Sequence, residues 1–319
     1  MNQPVPAEVA AALHAHLPAV FRWAGRVASR MRQFDIAVAG KISGSSNTDA
    51  LTLADLTVQE LVVTALRDLD PRFLACRIEA EEATGPLEAF ATDSPLTLCL
   101  DPIDGTKQYR DHAGDGWAVM LNLRTEDAVH YSLTFVPDAG AHGRWVECVG
   151  AGPGAKVRCG DDDPSRPAGA ALASFAPRPT PAAPPSGSKK IYVIGFQHRD
   201  PAAAAAITAA GLEGVVADET PGSIYDLMAT GAFAGSLIHS PNVYDYPAAA
   251  QIAAAFGGGS VWCDTGEPVH YRELWMDDRA DMLRLPRVVA TANDPATLAT
   301  LQAVGRDWHP ERYRDGEAL

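Results

Sequence analysis

Apolar residues recur at three- and four-residue spacing near the start of the chain, at Leu13, Leu17, Val20, Phe21, Ala24, Val27 and Met31. A period of 3.6 gathers them on one face, so the pattern predicts an amphipathic helix from about Ala7 to Gln33. A second stripe, Leu61, Val62, Ala65, Leu66 and Leu69, predicts a helix from about Asp55 to Leu69 that Pro71 stops. The polar, glycine-containing stretch Lys41 to Asn47 between them reads as a loop. Beyond Pro71 the period shortens. Leu96 to Leu100 is a short apolar run ending at Asp101, and reads as a buried strand. Trp117 to Leu123, His130 to Val136 and Arg144 to Val149 read as further strands.

From Gly160 to Ser188 the pattern dissolves into Pro, Ala, Asp, Gly and Ser, either a surface excursion or a linker. Strands and helices then alternate. Strands are predicted at Ile191 to Phe196, Val215 to Asp218 and Ser236 to His239. Helices are predicted at Pro201 to Ala210, Ser223 to Thr230 with Gly231 as a stop, and Ala248 to Phe256 before three glycines. The chain thus divides into an N-terminal α+β half, residues 1–160, a linker or insertion, 161–188, and a C-terminal α/β half, 189–319.

Composition narrows the function. The 319 residues are 47% hydrophobic and 21% charged, the profile of a globular chain with a sizeable core. The net charge of -14 argues against extended binding to nucleic-acid polymers or anionic lipids. The five cysteines are scattered without a CxxC pair, which speaks against a disulfide framework or zinc site and for a reducing cytoplasm. The N-terminus lacks a signal-peptide pattern, and no apolar run is long enough to predict a membrane span.

The sharpest chemical feature is Asp101-Pro102-Ile103-Asp104-Gly105-Thr106. Two carboxylates stand at the end of a buried strand, and Pro102 is expected to end that strand in a turn. Gly105 allows a ligand close to the backbone. A helix starting here would aim free N–H groups at an anion. Alone, the hexapeptide reads as a turn with two solvated aspartates. Glu79, Glu81 and Glu82 alone read as a charged surface segment. Asp245 and Asp55 alone read as helix caps.

Taken in order, these blocks resemble the inositol monophosphatase-like superfamily of metal-dependent phosphatases. Residues 101–106 match its Asp-Pro-Ile-Asp-Gly-Thr signature without change. Asp55 in Leu51-Thr52-Leu53-Ala54-Asp55 is similar to its Thr-x-x-Asp segment. Glu81-Glu82 is similar to its Gly-Glu-Glu segment, with Ala80 in place of glycine. Tyr244-Asp245 before Ala248-Ala249 resembles its Trp-Asp-x-Ala-Ala block, with Tyr replacing Trp and Pro247 intruding. The likeness runs over residues 35 to 295.

The resemblance implies an α/β (α+β) fold, an α/β/α/β/α layered sandwich, and hydrolysis of a small-molecule phosphate monoester. It implies one Mg²⁺ on Glu81, Asp101 and the Ile103 carbonyl, and a second on Asp101, Asp104 and Asp245, with room for a third near Glu81. Asp55 and Thr106 would orient the attacking water, and the amides of Gly105 and Thr106 would hold phosphate oxygens. A homodimer is a further implication.

The substrate is less defined. Lys107 and the Gly114 to Val119 segment resemble the nucleotidases that act on 3′-phosphoadenosine 5′-phosphate, and His198 would then face a base. Ser223 stands in their Gly-Ser-Ser-Leu-Lys segment, but Asp226 replaces its lysine, where a carboxylate would repel a second phosphate. Ile238 replaces the glutamate that inositol enzymes carry before the final Asp. The readings are therefore a phosphatase for an inositol, sugar or related phosphate, a nucleotidase of the same family, or a non-catalytic homologue that binds metal or phosphate.

Overall fold

The computed structural model describes residues 4–34, 37–38, 51–178 and 187–313. The loop expected at Lys41 to Asn47 lies outside these residues. Helix α1 (Pro6–Met31) buries Leu13, Leu17, Phe21 and Ala24, as its stripe requires. Helix α2 (Leu53–Leu69) starts two residues earlier than expected because Thr52 caps it. A single turn, α3 (Pro71–Leu74), follows. The chain then builds a six-stranded sheet in sequence order: β1 (Arg77–Ala80), β2 (Thr97–Asp104), β3 (Ala118–Arg124), β4 (Val129–Val136), β5 (Arg144–Val149) and β6 (Lys156–Asp161). Only the β1–β2 pair is parallel. A short helix, α4 (Thr106–Arg110), leaves the end of β2.

The expected linker contains structure. Its described part holds helix α5 (Ala168–Ala173), whose Ala168 and Leu172 join the apolar cluster under α1. The second sheet, in the order β10-β13-β9-β7-β8, uses β7 (Lys190–Ile194), β8 (Glu213–Val216), β9 (Gly235–His239), β10 (Gly259–Trp262) and β13 (Val288–Ala292). A separate hairpin pairs β11 (Trp275–Asp277) with β12 (Met282–Arg284). The helices of this half are α6 (Asp200–Ala209), α7 (Ile224–Thr230), α8 (Tyr246–Ala255) and α9 (Pro295–Gly305).

Packing stacks these elements in five layers. Helices α1 and α2 cover one face of the first sheet; α7 and α8 lie between the sheets; α6 and α9 cover the outer face of the second. The fold is the layered α/β/α/β/α sandwich expected. Strand alternation explains why the first sheet reads as continuous apolar runs. Val119, Leu121 and Leu123 face the α1 and α2 side, while Ala118 and Met120 face α7 and α8. Both faces are covered, so both sets must be apolar.

One expectation about the signature is corrected. Pro102 does not end β2. The strand continues to Asp104 through a bulge, pairing Asp101 with Met120 and then Asp104 with Ala118. Three steps on β2 oppose two on β3, and the bulge accommodates the residue that cannot donate to a ladder.

Candidate active site

The bulge turns the end of β2 into a cradle. The Ile103 N–H donates to Asp101 Oδ1 at 3.0 Å, fixing that carboxylate. Gly105 has φ +80, and a Cβ there would lie 3.3 Å from the Trp117 backbone. This is one position where glycine's freedom is required. Thr106 opens α4, and its hydroxyl has two acceptors, Asp55 Oδ1 at 3.1 Å and the Ile103 carbonyl at 2.8 Å.

Asp55 does two jobs with two oxygens. Oδ2 accepts from the Thr52 N–H at 2.8 Å and the Thr52 hydroxyl at 2.6 Å, closing a capping box on α2. Oδ1 is left for Thr106. The residue is 1% exposed. Burial, with smaller pushes from Glu81 and Glu82, raises its carboxyl to about 7 against the opposing Thr52 bonds.

Asp245 arrives from the other half of the chain, at the N-cap position of α8, yet makes no side-chain capping bond. Pro247, which looked intrusive, sits in the first turn of α8, where a missing N–H is harmless. Asn242 instead receives the local N–H groups, from Tyr244 at 2.9 Å and Asp245 at 3.1 Å. Asp101, Asp104 and Asp245 thereby bring carboxylate oxygens within 4.8 Å of one another. Burial first, then the neighbouring carboxylates including Glu81, pushes Asp101 and Asp104 well above the ordinary range and Asp245 to about 6. Such a group of mutually repelling oxygen donors, Asp101 buried and Asp104 and Asp245 half-buried, suits a hard divalent cation, and the absence of histidine or cysteine from it argues against zinc.

These residues line a cavity between the sheets, together with Glu81, Ile103, Gly105, Thr106, Lys107 and Ser223. Lys107 forms an ion pair with Asp218 at 2.7 Å on its rim. Ser223 is buried at the N-cap of α7, and its Oγ has no hydrogen-bond partner. His198 lies elsewhere: it is exposed, on a single 3₁₀ turn (Gln197–Arg199), and does not line the cavity. Asp226 is also outside. Arg144 holds it bidentately with both bonds at 3.0 Å, so its charge is spent away from the site. The repulsion expected from Asp226 therefore has no geometric basis. Ile238 does line the cavity, while His239 behind it is fully buried, bonded to Ser240 and the His309 carbonyl.

Sequence reasoning missed several supporting residues. Gln59, one turn beyond Asp55, is fully buried and clamps the 81–84 turn through the Glu82 N–H, the Glu82 carbonyl and the Thr84 carbonyl. Its signal was a polar side chain within α2's apolar stripe. Arg124, also buried, pairs with Glu79, so Glu79 holds β1 to β3. Asn242, Arg284 and Arg312, all cavity-lining, carried no local signal.

Fold and site together define a layered α/β protein with an oxygen-rich, cation-competent cleft between its two sheets. The chain belongs to the inositol monophosphatase family, whose model matches residues 11–305. Among solved structures it is similar to staphylococcal inositol monophosphatase-1 in a LiCl-soaked inhibitory complex, at 14% identity and TM-score 0.62, covering 92% of this chain and 94% of that one. It is similar to an IMPase/NADP phosphatase complexed with NADP and Ca²⁺, at 13% identity and TM-score 0.63, with 94% and 97% covered. It is also similar to CysQ from Bacteroides thetaiotaomicron, at 18% identity and TM-score 0.58, with 90% and 98% covered. No curated protein sequence matches the chain significantly.

Proposed function

We propose that the protein is a Mg²⁺-dependent phosphomonoesterase acting on a small-molecule phosphate, an inositol, sugar or related metabolite ester. The observation that carries this reading is the meeting of Asp101, Asp104 and Asp245 with the Thr106–Asp55 pair at the end of β2. Asp101, Asp104, Asp245, Glu81 and the Ile103 carbonyl would hold two ions, with a third near Glu81. A related IMPase/NADP phosphatase is known in complex with Mg²⁺ and phosphate. When bound, the ions supply charge neutralisation of the phosphate and a lowered pKa for a water.

The chain's own residues then have defined tasks. The Thr106 hydroxyl has one proton and two acceptors, Asp55 Oδ1 and the Ile103 carbonyl. Were a cation held at the Ile103 carbonyl, the Thr106 proton would go to Asp55. The hydroxyl's lone pairs then face the water and hold it for in-line attack. The amides of Gly105 and Thr106 accommodate phosphate oxygens, and the unpartnered Ser223 hydroxyl is available to the substrate. A reducing compartment such as the cytoplasm suits the five unpaired cysteines.

A nucleotidase acting on 3′-phosphoadenosine 5′-phosphate is the second reading. It gains from the placement of Asp226 outside the cavity and loses His198 as a base contact. Hydrolysis of p-nitrophenyl phosphate with and without Mg²⁺ tests the main reading. Turnover should require the ion, and Asp104→Asn should lower it by about a hundredfold or more while the circular dichroism spectrum is unchanged. Near-normal activity in that variant would refute the assignment. A folded wild type with no Mg²⁺-dependent turnover would instead favour a binding role.

A further inference from the structure

The same cavity has a cationic wall. Arg284 and Arg312 both line it, 4% and 6% exposed. Arg284 is compensated: its Nε donates to Asp277 Oδ2 at 2.7 Å and its Nη1 to the Ser240 carbonyl at 3.2 Å. Its charge also reaches Asp245, linking this wall to the carboxylate cluster. Arg312 is different. One Nη1 donates to the His239 carbonyl, but its Nε has no partner, and among the described residues no carboxylate lies within ion-pair distance of it. The carboxylates that act on it through space are Asp277, itself shared between Arg284 and the Tyr313 hydroxyl, and Asp200, while the Tyr313 ring lies 5.8 Å from the guanidinium carbon. Burial and then the charge of Arg284 push Arg312 down to about 10.

A buried guanidinium with no carboxylate in direct contact is costly, and structural arginines are ordinarily paired. The backbone is also shaped around this one. Gly195, at φ +95, lines the cavity, and a Cβ there would come within 2.7 Å of Arg312 Nη1 and 2.5 Å of the His239 carbonyl. The turn after β7 is therefore bare of side chain where the guanidinium passes.

We propose that Arg312, backed by Arg284, is a second anion subsite, so that the substrate is a phosphomonoester carrying a further anionic group, a phosphate or a carboxylate. This rests on the phosphatase reading and narrows its substrate class. Neutral polyol monophosphates such as inositol 1-phosphate are disfavoured, and histidinol phosphate more so, because its ammonium group would meet the arginines.

Matched pairs test it in the whole enzyme. Adenosine 3′,5′-bisphosphate is compared with adenosine 3′-monophosphate, fructose 1,6-bisphosphate with fructose 1-phosphate, and 3-phosphoglycerate with glycerol 3-phosphate. In at least one pair the bis-anionic ester should have kcat/KM higher by about tenfold or more, and the pair that responds identifies phosphate or carboxylate. Arg312→Gln should remove that preference by raising KM for the bis-anionic ester about tenfold, with kcat for that ester little changed. Equal kcat/KM within every pair in the wild type would overturn the proposal without any variant being needed. Binding is read separately by calorimetry on Asp55→Asn, which keeps every proposed metal ligand. Preferential binding of the bis-anion there, lost in the Arg312→Gln double variant, supports the subsite even if no ester is turned over. Absence of that preference rejects it, whereas loss of all turnover in the wild type rejects only the phosphatase reading.

Discussion

On the proposed function, Asp55 carries structural and chemical duties in one side chain. Thr52 occupies Oδ2 and Thr106 occupies Oδ1, so the two duties can be separated by mutating the partners. Thr52→Ala removes the cap and should cost about 1 kcal/mol of stability, read from the urea midpoint, with kcat within a few-fold of wild type. Thr106→Val keeps the cap and should lower kcat by about a hundredfold or more with little change in the midpoint. Comparable losses of activity in both variants would mean that Asp55 acts only by holding α2. At this scale, much of the site is legible in the sequence where residues stand within one short motif. Asp101, Asp104, Gly105 and Thr106 are set by a hexapeptide, Asp55 by the third position of the α2 capping box, and Asp245 by the N-cap position of α8. Arg312 and Arg284 were not legible, because Arg312 stands in a polar stretch with no periodic neighbours and Arg284 ends a strand of three residues, too short to show which side it faces. Only the fold sets them against the cavity.

Among the elements, long periodic segments were the easiest to foresee: α1, β4 and β5 fall within two residues of expectation at each end. Short elements without alternation were missed. All four residues of β1 are half-buried, and β11 and β12 have three residues each, too few to show a period. Packing between elements also depends on glycines that no pattern distinguishes. Gly116, just before β3, sits against the start of α7: a Cβ would meet the Gly222 carbonyl carbon at 2.5 Å and the Ser223 nitrogen at 2.7 Å. Both contacts are backbone, so neither can yield cheaply. Gly116→Ala should destabilise by about 1–3 kcal/mol and raise KM, since Gly116, Gly222 and Ser223 all line the cavity. Gly222→Ala meets nothing within 4 Å and should stay within about 0.5 kcal/mol of wild type. A denaturant midpoint for each variant settles the comparison, and equal effects would show that the contact between β3's leading turn and α7 can relax.

At the scale of the whole molecule, the two halves meet across a store of like charge. Asp55, Asp101, Asp104 and Asp245 are all raised by burial and by one another or Glu81, Asp55 to about 7 and Asp245 to about 6. A carboxyl raised on folding binds its proton more tightly in the native state. Its contribution is therefore fully present below the unfolded value near 4 and is lost as pH rises through the folded value. In the metal-free protein these groups oppose stability increasingly as pH rises above about 4, Asp245 and Asp55 completing their part near pH 6 and 7. Other groups slope differently. His239, pushed down to about 3 chiefly by burial, loses stability as pH falls below about 6.5, while His14, raised by its bond to Glu147, loses its contribution as pH rises past its folded value. Subtracting the metal-free melting curve from the Mg²⁺ curve at each pH removes such terms, because neither histidine lines the cavity. A cation that binds the deprotonated cluster only in the folded state adds stability by mass action, and protons compete with it. The Tm gain from Mg²⁺ should accordingly be small at pH 5 and grow to about 5 °C or more by pH 8. Asp104→Asn should flatten the difference across the range. A gain that is largest at pH 5, or equal in Asp104→Asn, would place the stabilising ion somewhere other than the strand end where β2 delivers Asp101 and Asp104 to meet Asp245.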